Sequence, residues 1–159
     1  MTRNDSRKSV ALAVAAAEAK KAENIAILEL DKSSSGFTDY FVICNGSNPR
    51  QLQAISDEVD QQLSSVGQEP AHVEGYNQAE WILLDYVDFV VHIFSENARK
   101  FYDLERLWKS AKHISLEDLR SRAPKKTAAR KTVARTVPKK KAVKPRKSAA
   151  KKTTKRTRR

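Results

Sequence analysis

Between Ala79 and Trp108 the chain reads AEWILLDYVDFVVHIFSENARKFYDLERLW, two apolar runs separated by one short acidic corner. Both runs are of strand length and rich in Val, Ile, Phe and Trp, and Asp85-Tyr86-Val87-Asp88 between them has turn character. The pattern predicts a hairpin of buried strands leading into a helix. Strand alternation puts Trp81, Leu83 and Asp85 on one face and Ile82, Leu84 and Tyr86 on the other, so Trp81 and Tyr86 need not share one core.

The rest of the chain supplies layers to cover such a hairpin. Ser6 or Ser9 can cap a first helix of Ala, Glu and Lys ending near Lys21. Ile25 to Leu30 reads as a strand, DKSSSG as a polar turn, and Tyr40 to Cys44 as a second strand. Asn48, Pro49 and Gln51 offer a cap, a favourable first helical residue and a capping-box partner, and Leu52, Ile55, Val59 and Leu63 recur on one helical face. Beyond Gly67 a short strand is expected at His72 to Glu74, then the hairpin strands Glu80 to Asp85 and Phe89 to Phe94. A last helix starts at Ser95 or Asn97 with an apolar stripe of Phe101, Leu104, Leu107, Trp108 and Ala111, and a short helical segment follows Ser115. This order describes an α/β fold, a mixed β-sheet of about five strands flanked by helices. Strand order is not legible from the pattern.

Charge divides the chain at Pro124. Residues 124–159 hold 17 Lys and Arg and no acid, whereas residues 1–123 hold the other 14 basic residues and all 19 acids; the balances are +17 and −5, which make the net +12. The first part has the size of one domain with a single core. The second has no aromatic, Leu or Ile, and too little apolar surface to offset chain entropy, so residues 124–159 are expected to be a disordered basic tail. Cys44 is the only cysteine, which excludes a disulfide framework and a cysteine-based zinc site within one chain. Val10 to Ala17 imitates a short secretory segment, but it is weakly apolar and runs into Glu18, Lys20 and Lys21. No run approaches a membrane span, and the expected location is the cytoplasm.

Three blocks carry more than a fold. TDYFVICNGSNPRQLQAISDEV at 38–59, EGYNQAEWILLDYVDFVVHIFSE at 74–96 and FYDLERLW at 101–108 closely resemble the Iojap family of ribosomal silencing factors, also called RsfS, over roughly Val10 to Ala111. The family usually has Gly where this chain has Val87. A β-branched residue resists the positive φ of a primed turn, so either the turn is of another type or the corner differs in shape. The resemblance implies an α/β domain distantly like the nucleotidyltransferases. It also implies binding to ribosomal protein fourteen of the large ribosomal subunit, a steric block to subunit joining, and repressed translation. Trp81, Asp85, Tyr86 and Asp88 match the family blocks as contact residues, with Glu74 and His92 weaker; Tyr102, Glu105 and Arg106 are additions from the final helix, whose Phe101, Leu104 and Leu107 read as its core face. An apolar or aromatic docking surface could also pair two copies.

An enzyme is the first rival. Gly46-Ser47 followed by Asp57 and Glu58 imitates a nucleotidyltransferase site, where neighbouring carboxylates hold two metal ions. Here, however, Asp57, Glu58 and Asp60 fall on the amphipathic helix, and the position two after Asp57 is Val59. His72, His92 and His113 lack metal-ligand spacing, the acids at Asp85 and Asp88 suit a turn, and no phosphate-binding loop is present. His92, within an apolar strand, reads as a hydrogen-bonded structural histidine. The residues predict no catalytic site, no metal and no cofactor.

The tail mixes Lys and Arg with Ala, Pro and Thr, much like the tails of linker histones and some nucleoid proteins. Lys125, Lys126, Arg130, Lys131, the run Lys139, Lys140 and Lys141, then Lys151, Lys152, Arg156, Arg158 and Arg159 could neutralise phosphates without base specificity and with strong salt dependence. A flexible chain of that length spans about 30 to 36 Å root-mean-square, enough to reach rRNA around a docking site. rRNA is the favoured partner; DNA, in a nucleoid-type protein, is the alternative, and a merely solubilising extension is the plain one.

Overall fold

The computed structural model describes residues 3–31, 33, 36 and 38–121. The predicted basic tail, with every nucleic-acid contact assigned to it, lies outside the described residues. In order the elements are α1 (Arg3–Ala19), β1 (Glu23–Glu29), β2 (Tyr40–Gly46), α2 (Pro49–Ser65), β3 (His72–Glu74), β4 (Trp81–Asp85), β5 (Phe89–Ser95), α3 (Glu96–Tyr102), α4 (Leu104–Leu107), β6 (Lys112–Ile114) and α5 (Leu116–Ser121). The strands form one mixed sheet in the order β3-β4-β5-β2-β1-β6, with β2 and β5 parallel and the other neighbours antiparallel. Six strands replace the expected five. The extra one, Lys112-His113-Ile114, is too short for its alternation to be recognised, and only pairing with β1 defines it.

Alternation sorts the side chains into two layers. Tyr40, Val42 and Cys44 of β2, Ile82 and Leu84 of β4 and Phe89, Val91 and Ile93 of β5 face α1 and α2, where they join Val10, Val14, Leu52, Ile55, Val59 and Leu63 in the larger core. Phe41, Ile43, Val90 and Phe94 point the other way, into a smaller cluster closed by Leu28, Leu30, Ala98 and Leu104. β2 and β5 are therefore buried on both sides, which is why their sequences are almost continuously apolar. Cys44 is fully buried and desolvation pushes its thiol up to about 12, so it packs as a small inert side chain.

Local chemistry fixes the ends of α2. Asn48 accepts a hydrogen bond from Gln51 N at 2.9 Å, and Gln68 N and Gly67 N return to Leu63 O and Ser64 O, with Gly67 at φ +79 in a Schellman stop. Gln51 does not complete the expected capping box. Its Oε1 accepts from Ser47 N at 2.8 Å, while Nε2 donates to Lys20 O and Lys21 O, tying the end of α1 to the start of α2. α1 also departs from expectation at its start. Ser6 and Ser9 lie inside the helix, both buried, and Ser9 Oγ donates back to Asp5 O at 3.1 Å instead of capping.

The β4–β5 corner resolves the problem posed by Val87. Asp88 N donates to Tyr86 O at 2.8 Å across Val87, which sits at φ +70, so the corner tightens into a γ-turn. Asp85 Oδ1 accepts from Val87 N at 2.7 Å and Tyr86 N donates to Phe89 O at 3.0 Å. Asp85 serves the turn through its carboxylate and Asp88 through its backbone N–H, and Val87 adopts the positive φ at a steric cost.

Candidate docking face

The sheet face opposite α1 and α2 is only partly covered. Cross-strand partners share a face, so Glu74 opposite Leu83, His72 opposite Asp85 and Phe94 opposite Trp81 all project to this side. α3 crosses it from the N-cap Ser95, whose Oγ accepts from Ala98 N at 3.1 Å. The helix stops at Asp103, in the left-handed region at φ +43, where Asp103 N still bonds Arg99 O. This break corrects the expected continuous apolar stripe. Leu104 turns inward and is buried, but Phe101 is left 81% exposed and Leu107 72%. Asp tolerates the left-handed conformation better than most residues, yet without Gly or Pro the sequence carries only a faint signal of the break.

Trp81 is the centre of this face. Its indole stacks on Phe94 (centroids 5.0 Å, interplanar 28°), leans on Tyr102 at 4.6 Å, and donates from Nε1 to His92 Nδ1 at 3.1 Å. Phe101 meets Tyr102 edge-on at 5.0 Å, which extends the aromatic surface outward. Beneath it Phe41 packs edge-on against both His92 and Trp108. A cleft of about 550 Å³ opens beside the patch, lined by Pro49, Ala79, Glu80, Asn97, Phe101 and Tyr102 among others.

The residues picked out from sequence separate here. Trp81, Tyr102, Glu74 and Asp85 are brought onto one side, with half-buried Asp88 at the corner. Tyr86 and His92, by contrast, lie below the surface. Tyr86 is 7% exposed, stacks on Phe89 and belongs to the opposite core, while His92 is 5% exposed beneath Trp81. Burial drives the His92 imidazole down to about 4, against an upward pull from Asp85, so the ring is neutral. Glu105 is committed internally: it pairs with Arg99 at 2.6 Å, and Arg99 also holds Asn45 Oδ1 and the Asn24 carbonyl, pinning α3 and α4 to β1 and β2. Arg106 is exposed. Sequence reasoning misses Phe101 and Leu107 as surface residues, because only the tertiary placement of the Asp103 break exposes them, and it misses Phe94 as the buried ring that stacks against Trp81.

The acids considered for metal chemistry are engaged elsewhere. Asp57 accepts from Tyr76 Oη at 3.1 Å, and Glu58 pairs with Lys20 at 3.3 Å, its carboxyl held low by hydrogen bonds from Gln62 and Lys20. His72 and His113 lie on the opposite edge strands β3 and β6. Among the described residues no group of three or more His, Cys, Asp or Glu could hold a metal ion, and no helix is long and apolar enough to cross a membrane.

Fold and face together define a mixed α/β domain that displays aromatic side chains beside acidic ones. The family described as ribosomal silencing factor during starvation, RsfS, matches residues 3–154, and the chain belongs to that family. The match runs well into the basic segment, beyond the Val10 to Ala111 span of the sequence resemblance. The chain is 42% identical over 106 residues to ribosomal silencing factor RsfS of Halalkalibacterium halodurans, covering 67% of this chain and 90% of that one. It is 31% identical over 75 residues to mouse mitochondrial assembly of ribosomal large subunit protein 1, covering 45% of this chain and 33% of that one. A crystal structure from Bacillus halodurans superposes with TM-score 0.59 at 40% identity, covering 67% and 95% of the two chains. Another from Chromobacterium violaceum does so with TM-score 0.62 at 31% identity, covering 64% and 84%.

Proposed function

We propose that this chain represses translation by seating its Trp81 face on ribosomal protein fourteen of the large subunit, where its bulk keeps the small subunit from joining. The observation that carries the reading is the aromatic patch itself. Trp81 and Tyr102 pack together at a tilt and Phe101 and Leu107 are mostly exposed, on the sheet face that the helices leave partly uncovered. Aromatic anchors of this kind supply most of the energy at interfaces. The names of the relatives point the same way, toward ribosomal silencing and large-subunit assembly. Steric occupancy requires no turnover. It requires an ordinary interface, roughly 1,200 to 2,000 Å² in total, overlapping the region where the subunits meet.

Charge helps to choose the partner. With −5 over residues 1–123, and Glu74 and Asp85 on the same sheet face as Trp81, the domain is attracted to a basic protein patch and repelled by bare rRNA. The basic segment has the opposite preference, so we assign it to rRNA near the docking site, where it raises the local concentration of the domain. Trp81→Ala is expected to weaken binding to purified large subunits by about 2 kcal/mol, roughly thirtyfold, with the fold retained. A folded Trp81→Ala protein that binds normally would remove Trp81 from the interface.

A further inference from the structure

Stacking alone does not orient an indole. A tryptophan stacked on Phe94 and touched at a tilt by Tyr102 can keep its plane in either of two broad settings of the outer side-chain torsion, with opposite edges of the ring turned outward. Trp81 has one polar atom with which to break that ambiguity, and Nε1 spends it on His92 Nδ1 at 3.1 Å. The register makes this contact possible: Trp81 pairs with Phe94 and Leu83 with His92, so Trp81 and His92 are diagonal neighbours, within reach for large rings.

We propose that His92 is a positioning residue, which by accepting this hydrogen bond sets the edge of Trp81 that the domain presents to its partner. The proposal rests on the Trp81 face being the docking surface. An acceptor at Nδ1 requires the proton of the neutral ring to sit on Nε2, and Nε2 is buried with no hydrogen-bond partner. A buried ring with only one of its two nitrogens satisfied gains little for packing, so the bond to Trp81 is the feature that its polarity serves. The imidazole is also flat enough to lie edge-on to Phe41 and parallel to Phe94 (interplanar 11°), so it places an acceptor inside an aromatic layer without disturbing it. Burial keeps that acceptor unprotonated around neutral pH.

The test compares the full chain with His92→Leu, which removes the acceptor, and His92→Asn, whose Oδ1 falls near the place of Nδ1. The readouts are denaturant stability, hydrogen exchange of the Trp81 indole N–H with Trp108 as internal control, and affinity for purified large subunits. His92→Leu is expected to remain folded, to exchange the Trp81 indole proton about tenfold faster and to bind roughly fivefold more weakly, with His92→Asn restoring both to within about twofold. Unchanged exchange and affinity in His92→Leu, or no rescue by Asn, overturns the proposal. Should the Leu variant fail to fold, the nitrogen chemical shifts of His92 in the unaltered chain decide: a protonated Nε2 supports the assignment and a protonated Nδ1 overturns it. If Trp81→Ala binds normally the docking reading fails separately, while indole exchange still reports whether His92 holds the ring.

Discussion

His92 concentrates at one residue what burial does to a titratable group. The unfolded chain protonates it near 6.5, but the folded chain keeps it neutral down to about 4. As pH falls the unfolded state therefore takes up the proton first. Burying His92 as the neutral ring carries no protonation cost above pH 6.5, and stability falls as pH drops toward 4, a change of about 3 kcal/mol. Denaturant titrations across this range should show the unaltered chain losing that much more than His92→Asn; equal losses would contradict the burial argument. Part of this residue was readable from the linear chain, since a histidine inside Val90-Val91-His92-Ile93-Phe94 is structural on its face. Its partner was not, because Trp81 is eleven positions away and only strand register brings the two rings together.

Elements whose determinants are adjacent in sequence were the legible ones. α2 declares its start through Asn48-Pro49, its buried face through Leu52, Ile55, Val59 and Leu63, and its end through Gly67, and all of these appear in the structure. α3 and α4 share an apolar repeat that reads as one helix, and only packing against the sheet shows that Asp103 divides it. β6 is three residues of unremarkable composition. The Val87 corner is intermediate: sequence identified the conflict between a β-branched residue and positive φ, and the γ-turn shows how it is met. Val87→Gly should relieve that conflict and raise stability by about 1 kcal/mol. A denaturation midpoint that stays put or falls would mean that Val87 is not strained.

At the scale of the whole molecule the charge division was plain from composition, whereas the open aromatic face was not, since it depends on which part of the sheet α3 and α4 leave uncovered. In the function proposed, the acidic residues 1–123 and the basic residues 124–159 take different surfaces of one ribonucleoprotein partner. Removing residues 124–159 is expected to weaken large-subunit binding strongly at low salt and little at high salt, as counterion release requires. Affinity that responds identically to salt with and without them would give the segment no phosphate contacts.

Blocking requires more than binding, and the decisive measurement is subunit reassociation followed by light scattering as the full chain is added to purified large subunits before small ones. Whole ribosomes should form in decreasing yield as large subunits become occupied, with Trp81→Ala needing roughly thirtyfold more protein for the same effect. If the chain saturates the large subunits and reassociation still proceeds at its normal rate and yield, steric exclusion is not how it acts.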